Sequence, residues 1–258
     1  MLAEERLEEI RRRLREQGTL AVEEVAHDYQ VSLDTVRRDF NRLSGTDGIR
    51  RTHGGIMLER VALDSTLAER ALEASTEKRA IARRAAELVR DGETIVVDAG
   101  TTTALMVEYI EARDVTLITY SVEIAARAIR RANLTVYMAG GMVRASTGGA
   151  VGDDTLRMIR SLQASTAFLG ANGFSREYGL MTPNYHEASV KRAIIEISSR
   201  RVLLVDSSKV NRRALARFGE LAEMDVLISD ERLGGDIVAE LQHEVEEVVV
   251  VAGAGGRS

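Results

Sequence analysis

"VSLDTVRRDF", residues 31–40, is the stretch on which the reading of this chain turns. Ser32 suits the start of a helix, because its hydroxyl can accept from a backbone N–H that has no partner within the first turn. Val36, Phe40 and, just beyond, Leu43 follow at i, i+4 and i+7. At about 100° per residue they form one inward stripe. Asp34, Arg37, Arg38 and Asn41 then point outward or to the flank. Alone, such arginines are an ordinary solvated face. The neighbouring segments change that reading.

Upstream, Leu7, Ile10 and Leu14 mark one amphipathic helix that Gly18 ends. Val22, Val25, Ala26 and Tyr29 mark a second, joined to the third by a tight connection through Val31. Downstream, "GIRRTHGGIM" (48–57) reads as two short extended segments about a Gly54-Gly55 turn. Two short helices in tight succession, the second carrying outward arginines, form the pattern of a helix-turn-helix. The second helix of such a pair fits a major groove about 12 Å wide. Arginine can grip phosphate there or pair bidentately with guanine. The hairpin, with Arg50, Arg51 and His53, is expected to be a wing on the backbone or in the minor groove.

The bulk composition agrees once it is read locally. The formal net charge is −5, so any attraction to nucleic acid must come from a patch. From Ser32 to Met57 five arginines face three aspartates. The chain has no cysteine, which excludes a disulfide framework and a thiolate metal site. Its start is charged, so no secretory signal is expected, and no apolar run approaches the roughly 20 residues of a membrane span. A cytoplasmic location without membrane attachment is the expectation. Only 4% of residues are aromatic, which argues against an RNA-stacking surface.

Residues 58–76 lack periodicity and read as a linker. Beyond them the rhythm changes. The helix "EKRAIARRAAELVR" (77–90) leads into the strand "TIVVD" (94–98), and short apolar strands then alternate with helices at 115–119, 134–138, 166–170, 202–206, 225–229 and 247–251. Continuous apolar strands separated by helices indicate a mostly parallel sheet covered on both faces, hence an α/β domain over 77–252.

Several segments of this half combine strand ends with polar groups. "VVDAGTTT" (96–103) brings Asp98, Gly100, Thr101 and Thr102 to the start of a helix, where threonine hydroxyls and free N–H groups can hold an anion. It is neither a P-loop nor a dinucleotide fingerprint. An Asp-capped turn is an equal alternative. "YMAGGMVR" (137–144) places Gly140 and Gly141 at a strand end, as a ligand approach or a plain turn. "HEASVK" (186–191) spaces Glu187 and Lys191 at i, i+4, which by itself reads as a surface pair. "VLLVDSSK" (202–209) ends a strand on Asp206 and Lys209. Ligands of open α/β sheets bind at such ends, and these groups offer acceptors for sugar hydroxyls and cations for phosphate.

"VSLDTVRRDFNRL…GIRRTHGGIM" resembles the DNA-binding signature of DeoR-type bacterial transcription regulators. The likeness continues through "EKRAIARRAAELVRDGETIVVDAGTTT", Gly140-Gly141, "FLGANG", "EASVK" and "DSSK", covering about residues 3–251. It implies a winged helix-turn-helix at 1–57, with Ser32, Thr35, Arg37, Arg38, Arg51 and His53 at double-stranded operator DNA. It implies a sensor domain at 77–252, related in fold to ribose-5-phosphate isomerases and coenzyme A transferases, that recognises a phosphorylated sugar or sugar-derived metabolite and mediates oligomerisation. Asp98, Gly100, Thr101, Thr102, Gly140, Gly141, Glu187, Lys191, Asp206 and Lys209 would line its pocket. Some positions depart from the family pattern. "SGTDG" (44–48) replaces the usual approach to the wing, Tyr120 stands where asparagine is usual, Ser165 replaces a common aspartate, and "GLMTPNYHEAS" precedes and includes Glu187. Should Tyr120 and Tyr185 reach the pocket, the effector would differ from the commoner sugar phosphates.

The expected function is a metabolite-controlled DNA-binding regulator, a repressor of a carbohydrate operon, acting as a homodimer or homotetramer because each chain carries one recognition helix. No catalytic residue, cofactor or metal is expected. The rival reading is a sugar-phosphate isomerase with an accessory N-terminal module, using Asp98, Glu187 or Asp206 as base and Lys191 or Lys209 as electrophile.

Overall fold

A computed structural model describes residues 3–45, 48–52, 54–58, 60–61, 69, 71, 73 and 75–253. The chain forms two compact units, Met1–Val61 and Ala62–Ser258.

The first unit contains α1 (Ala3–Gln17), β1 (Thr19–Ala21), α2 (Val22–Tyr29), α3 (Leu33–Leu43), β2 (Ile49–Arg51) and β3 (Gly55–Leu58). Leu7, Ile10 and Leu14 of α1, Val22 and Val25 of α2 and Val36, Phe40 and Leu43 of α3 close one buried cluster with Ile49 and Ile56 of the strands. Gln30 ends α2 in a left-handed conformation, and two residues later Ser32 caps α3 by accepting from the Thr35 N–H. The wing belongs to a three-stranded antiparallel sheet in the order β1-β3-β2, whose first strand, Thr19–Ala21, is too short to show as a periodic signal. That extra strand explains Gly55. A Cβ there would lie 2.0 Å from the Leu20 carbonyl oxygen, so it is close backbone approach that requires glycine.

In the second unit α4 (Ser75–Ala86) precedes β4 (Thr94–Val97), α5 (Thr101–Met106), β5 (Val115–Thr119), α6 (Val122–Ala128) and β6 (Leu134–Met138). A hairpin of β7 (Met142–Val143) and β8 (Ala150–Val151) leads to α7 (Asp153–Arg160) and β9 (Ala164–Gly170). Then come β10 (Gly173–Ser175), β11 (Gly179–Thr182), α8 (Tyr185–Ile197), β12 (Ser198–Leu204), β13 (Ala216–Gly219), β14 (Val226–Asp230), α9 (Gly235–Leu241) and β15 (Glu247–Val251).

Seven strands form one sheet in the order β15-β14-β12-β9-β4-β5-β6, every neighbouring pair parallel. Alternate residues of its strands feed two cores. Ile95, Val97, Leu117, Phe168 and Leu204 pack with Ile81 and Ala85 of α4 and with Ile124 of α6, whereas Val96, Ile118, Leu169 and Leu203 pack with Ile159 of α7 and with Val190 and Ile194 of α8. The central strands are buried on both faces, as the apolar runs imply. The two edge strands, β6 and β15, are mainly half-buried or exposed despite equally apolar sequences. A small antiparallel sheet, β10-β11-β13, sits outside the strand–helix rhythm.

The strand order positions the site. From β4 the chain winds outward through β5 to the β6 edge. It then returns to β9, beside β4, and winds the other way. The carboxyl ends of β4 and β9 therefore flank a topological switch point, where adjacent loops diverge and leave a crevice.

Candidate functional site

In the first unit the outward face of α3 bears Asp34, Arg37, Arg38, Asn41 and Arg42, all exposed, while Val36, Phe40 and Leu43 are buried. The two adjacent arginines differ. Arg37 donates to Asp34 at 3.1 Å, one helical turn back. Arg38 makes no hydrogen bond or ion pair among the described residues. Ser32 and Thr35 are committed to each other, with their hydroxyl oxygens 2.9 Å apart at the helix start. Asp39, last polar residue of the Arg-Arg-Asp run, points inward instead. It accepts from Arg6 of α1 at 2.6 Å with both side chains buried, so it fixes α3 on the bundle. Arg50 and Arg51 are exposed on the wing, Arg51 with its guanidinium carbon 5.8 Å from the Phe40 ring centroid. His53 lies outside the described residues.

In the second unit a cavity of about 40 Å³ opens at the switch point. Gly100, Thr101 and Thr102 line it from the β4–α5 connection, Gly170 and Asn172 from the end of β9, Lys191 from α8, and Asp206 and Lys209 from the turn after β12. Six of these eight residues stand among the sequence-derived candidates; Gly170 and Asn172 belong to the "FLGANG" segment. Lys78 of α4 also lines the cavity and is buried. Its signal was present in the sequence. It lies three and four residues before Ile81 and Ala82, on the apolar stripe of α4, where a cation has no reason to be unless it meets an anion.

The remaining candidates fall elsewhere. Asp98 is fully buried behind the cavity wall. One of its carboxylate oxygens accepts from the Tyr120 hydroxyl at 2.5 Å; the other accepts from the Gly170 N–H at 2.9 Å and from the Lys191 ammonium. Lys191 also donates to the Gly170 carbonyl at 2.9 Å. Asp98 thus orients Lys191 and has no oxygen left without a donor. Glu187, one turn before Lys191, is held away from the cavity by Arg144 and Thr147, each at 2.5 Å. Gly140 and Gly141 pack on α7. The Gly140 carbonyl accepts from Thr155 at 2.8 Å, and a Cβ on Gly141 would lie 2.2 Å from the Thr155 hydroxyl oxygen. They serve a close helix–strand contact and do not line the cavity. Tyr120 reaches Asp98 but not the cavity, and Tyr185 is exposed.

The electrostatics of the cavity are those of an anion site. Lys78, Lys191 and Lys209 are buried ammonium groups around it. Asp206 is occupied by the backbone N–H of Ser208 at 3.1 Å and by the Ser208 hydroxyl. Asp230, at the end of β14, clamps the same turn by accepting from the N–H and hydroxyl of Ser207, at 2.7 and 2.9 Å. Lys209 meets a carboxylate from outside the wall, Glu73, at 3.0 Å. Partial burial would raise the Glu73 carboxyl, yet the Lys209 hydrogen bond and the charges of Lys209, Arg212 and Lys78 hold it below its ordinary range. Burial, with the charges of Asp98 and Glu187, pushes the Tyr120 hydroxyl well above its ordinary value, so Tyr120 stays a neutral donor. No helix among the described residues is long and apolar enough to cross a membrane, and no cluster of His, Cys, Asp and Glu among them could hold a metal ion.

Residues 6–60 match the family model of the DeoR-like helix-turn-helix domain, and residues 73–231 match that of the DeoR C terminal sensor domain. The glycerol-3-phosphate regulon repressor of Escherichia coli (strain K12) is 32% identical over 218 residues, spanning 84% of this chain and 86% of that protein. The HTH-type transcriptional repressor GlcR of Bacillus subtilis (strain 168) is 31% identical over 231 residues, 89% of each. The lactose phosphotransferase system repressor of Streptococcus mutans is 32% identical over 234 residues, 89% of this chain and 93% of that one. Among solved structures, a ribose 5-phosphate isomerase A from Methanocaldococcus jannaschii overlays on 52% of this chain and 53% of its own, with a TM-score of 0.38 at 21% identity.

Proposed function

The chain belongs to the DeoR family of transcriptional regulators, and on that premise we propose that it represses a carbohydrate-related operon by binding double-stranded operator DNA under the control of a phosphorylated sugar or related metabolite. The observation that carries this reading is the pairing of two features in one chain. An arginine without a partner among the described residues stands on the outward face of a capped helix, and a lysine-lined cavity sits at the switch point of a parallel sheet. The first suits the phosphates and base edges of a duplex. The second suits a small anion.

Arg38, with Arg37, Arg50 and Arg51, is the DNA-facing set in this reading, and Ser32 and Thr35 set the pitch at which α3 enters the groove. His53 is retained in the set by its place in the wing sequence. For the effector, Gly100, Thr101, Thr102, Lys191, Asp206 and Lys209 form the contact set together with Lys78. Asp98 acts through Lys191. A single recognition helix per chain requires a second copy for a two-half-site operator, so the assembly is a homodimer or homotetramer held by the α/β unit.

The isomerase reading is weaker on the geometry. Proton abstraction needs a carboxylate that can reach substrate. Asp98 and Glu187 are buried with their oxygens engaged by protein donors, and Asp206, which does line the cavity, has one of its two oxygens tied to its own turn. Footprinting the full chain on DNA flanking its own coding sequence, with and without a panel of sugar phosphates, tests the proposal. Protection that a phosphorylated compound changes supports it. Absence of any protected site, or aldose–ketose turnover of the panel, overturns it.

A further inference from the structure

The cavity holds about 40 Å³. That is room for a few water molecules and far below the roughly 300 Å³ at the lower end of small-molecule pockets. A larger effector is therefore not enclosed there unless something moves. Most of the wall cannot move cheaply. It consists of strand ends, the turn clamped by Asp206 and Asp230, and Lys191 locked between Asp98 and Gly170.

One partner of the wall is different. The Glu73 carboxylate meets the buried ammonium of Lys209 at 3.0 Å, but its own side chain is 49% exposed, against 10% for Lys209. It can swing into water without opening the sheet. It also precedes α4, in the part of the chain that follows directly on the DNA-binding unit, whose last residue is Val61.

We propose that Glu73 is a built-in competitor for the effector: its carboxylate occupies the Lys209 ammonium until an anionic group of the effector, a phosphate, takes its place beside Lys209 and Lys78. This rests on the reading of the cavity as the effector site. The carboxylate and the phosphate are both charge-assisted acceptors for the Lys209 ammonium, and two negative charges crowded on it repel each other, so pairing with one disfavours pairing with the other. The positive surroundings that keep Glu73 ionised, Lys209, Arg212 and Lys78, are those that would hold a phosphate.

Calorimetric titration of the full chain with inorganic phosphate and with glucose 6-phosphate, at fixed ionic strength, tests this. Glu73→Gln removes the competing charge at a half-exposed position and should bind both probes about three- to tenfold more tightly than the unaltered chain. Lys209→Met should lose that binding. Ribose, which carries no charge, should respond to neither change. Equal or weaker binding by Glu73→Gln, with the unaltered chain binding normally, would overturn the competitor role and leave the effector site standing. If neither form binds either probe, the effector site itself is wrong and the inference falls with it.

Discussion

Lys191 and Asp98 form a buried ion pair across the carboxyl ends of the central strands, with Lys191 supplied by α8 and Asp98 by the residue that follows β4. The pair joins the two windings of the sheet at the point where they separate. Removing one partner of such a pair leaves an isolated charge in a dry environment, which costs more than the pair contributes. Lys191→Met is therefore expected to destabilise the α/β unit by about 3–5 kcal/mol. Lys191→Met combined with Asp98→Asn should recover part of that loss. Urea unfolding of the two variants checks this; equal midpoints would show that the buried charge is not the cause.

Tyr120 gives a prediction with a pH sign. In the unfolded chain its hydroxyl ionises near the ordinary value of 10.0, while in the fold burial and the nearby carboxylates hold it neutral well above that. A group whose folded value is raised contributes stability that is complete below the unfolded value and is lost as pH rises toward the folded one. Stability should therefore fall above about pH 10 more steeply for the unaltered chain than for Tyr120→Phe. At neutral pH Tyr120→Phe should cost about 1–3 kcal/mol, because Asp98 loses a donor. Denaturation midpoints of both proteins at about pH 8 and about pH 10.5 decide it; parallel losses would remove Tyr120 as the alkaline group.

Arg6 and Asp39 form the corresponding buried pair of the DNA-binding unit, 2.6 Å apart between α1 and α3. A unit of about 60 residues has little stability to spare. Arg6→Ala should therefore unfold it at physiological temperature, at a cost of about 3–5 kcal/mol, while the α/β unit melts unchanged. Calorimetry resolving the two transitions would show the first lowered alone. A concerted loss of both would contradict this assignment.

On the outward face of α3 the partners separate the arginines. Arg38→Ala should weaken specific DNA binding by about 1–3 kcal/mol if it reads a base, or lower the salt slope by about 1 if it contacts phosphate. Arg37 is already neutralised in part by Asp34, so Asp34→Ala should steepen the salt dependence. Titration of a fixed operator fragment at several salt concentrations distinguishes these outcomes. Unaltered binding by Arg38→Ala would take it off the recognition face.

Much of the first unit is legible in the sequence itself. The Val36/Phe40/Leu43 stripe, the Ser32 cap and the hairpin are local signals, and the structure reproduces each. What sequence could not show was long-range. Asp39 reads as part of a charged run until Arg6 arrives from another helix, and Gly55 reads as a turn residue until β1 pairs beside it. In the second unit, strands and their ends are legible, and Thr101, Asp206 and Lys209, read at those ends, line the cavity. Asp98, Glu187 and Gly141 were expected at the cavity and instead support its walls or the α7 packing, because which side of a strand end faces the crevice depends on strand order. Lys78 reads as one more charge in a basic helix until α4 packs against the strand ends.

The central claim is that one chain binds DNA conditionally on an anion in the switch-point cavity. Fluorescence anisotropy of a labelled operator fragment, titrated with the full chain in the presence of increasing phosphorylated sugar, tests it most directly. The account predicts that at least one such compound changes the DNA affinity of the unaltered chain, and that Lys209→Met retains DNA binding but no longer responds. An affinity indifferent to every phosphorylated sugar, or a Lys209→Met protein that responds as the unaltered chain does, would contradict it.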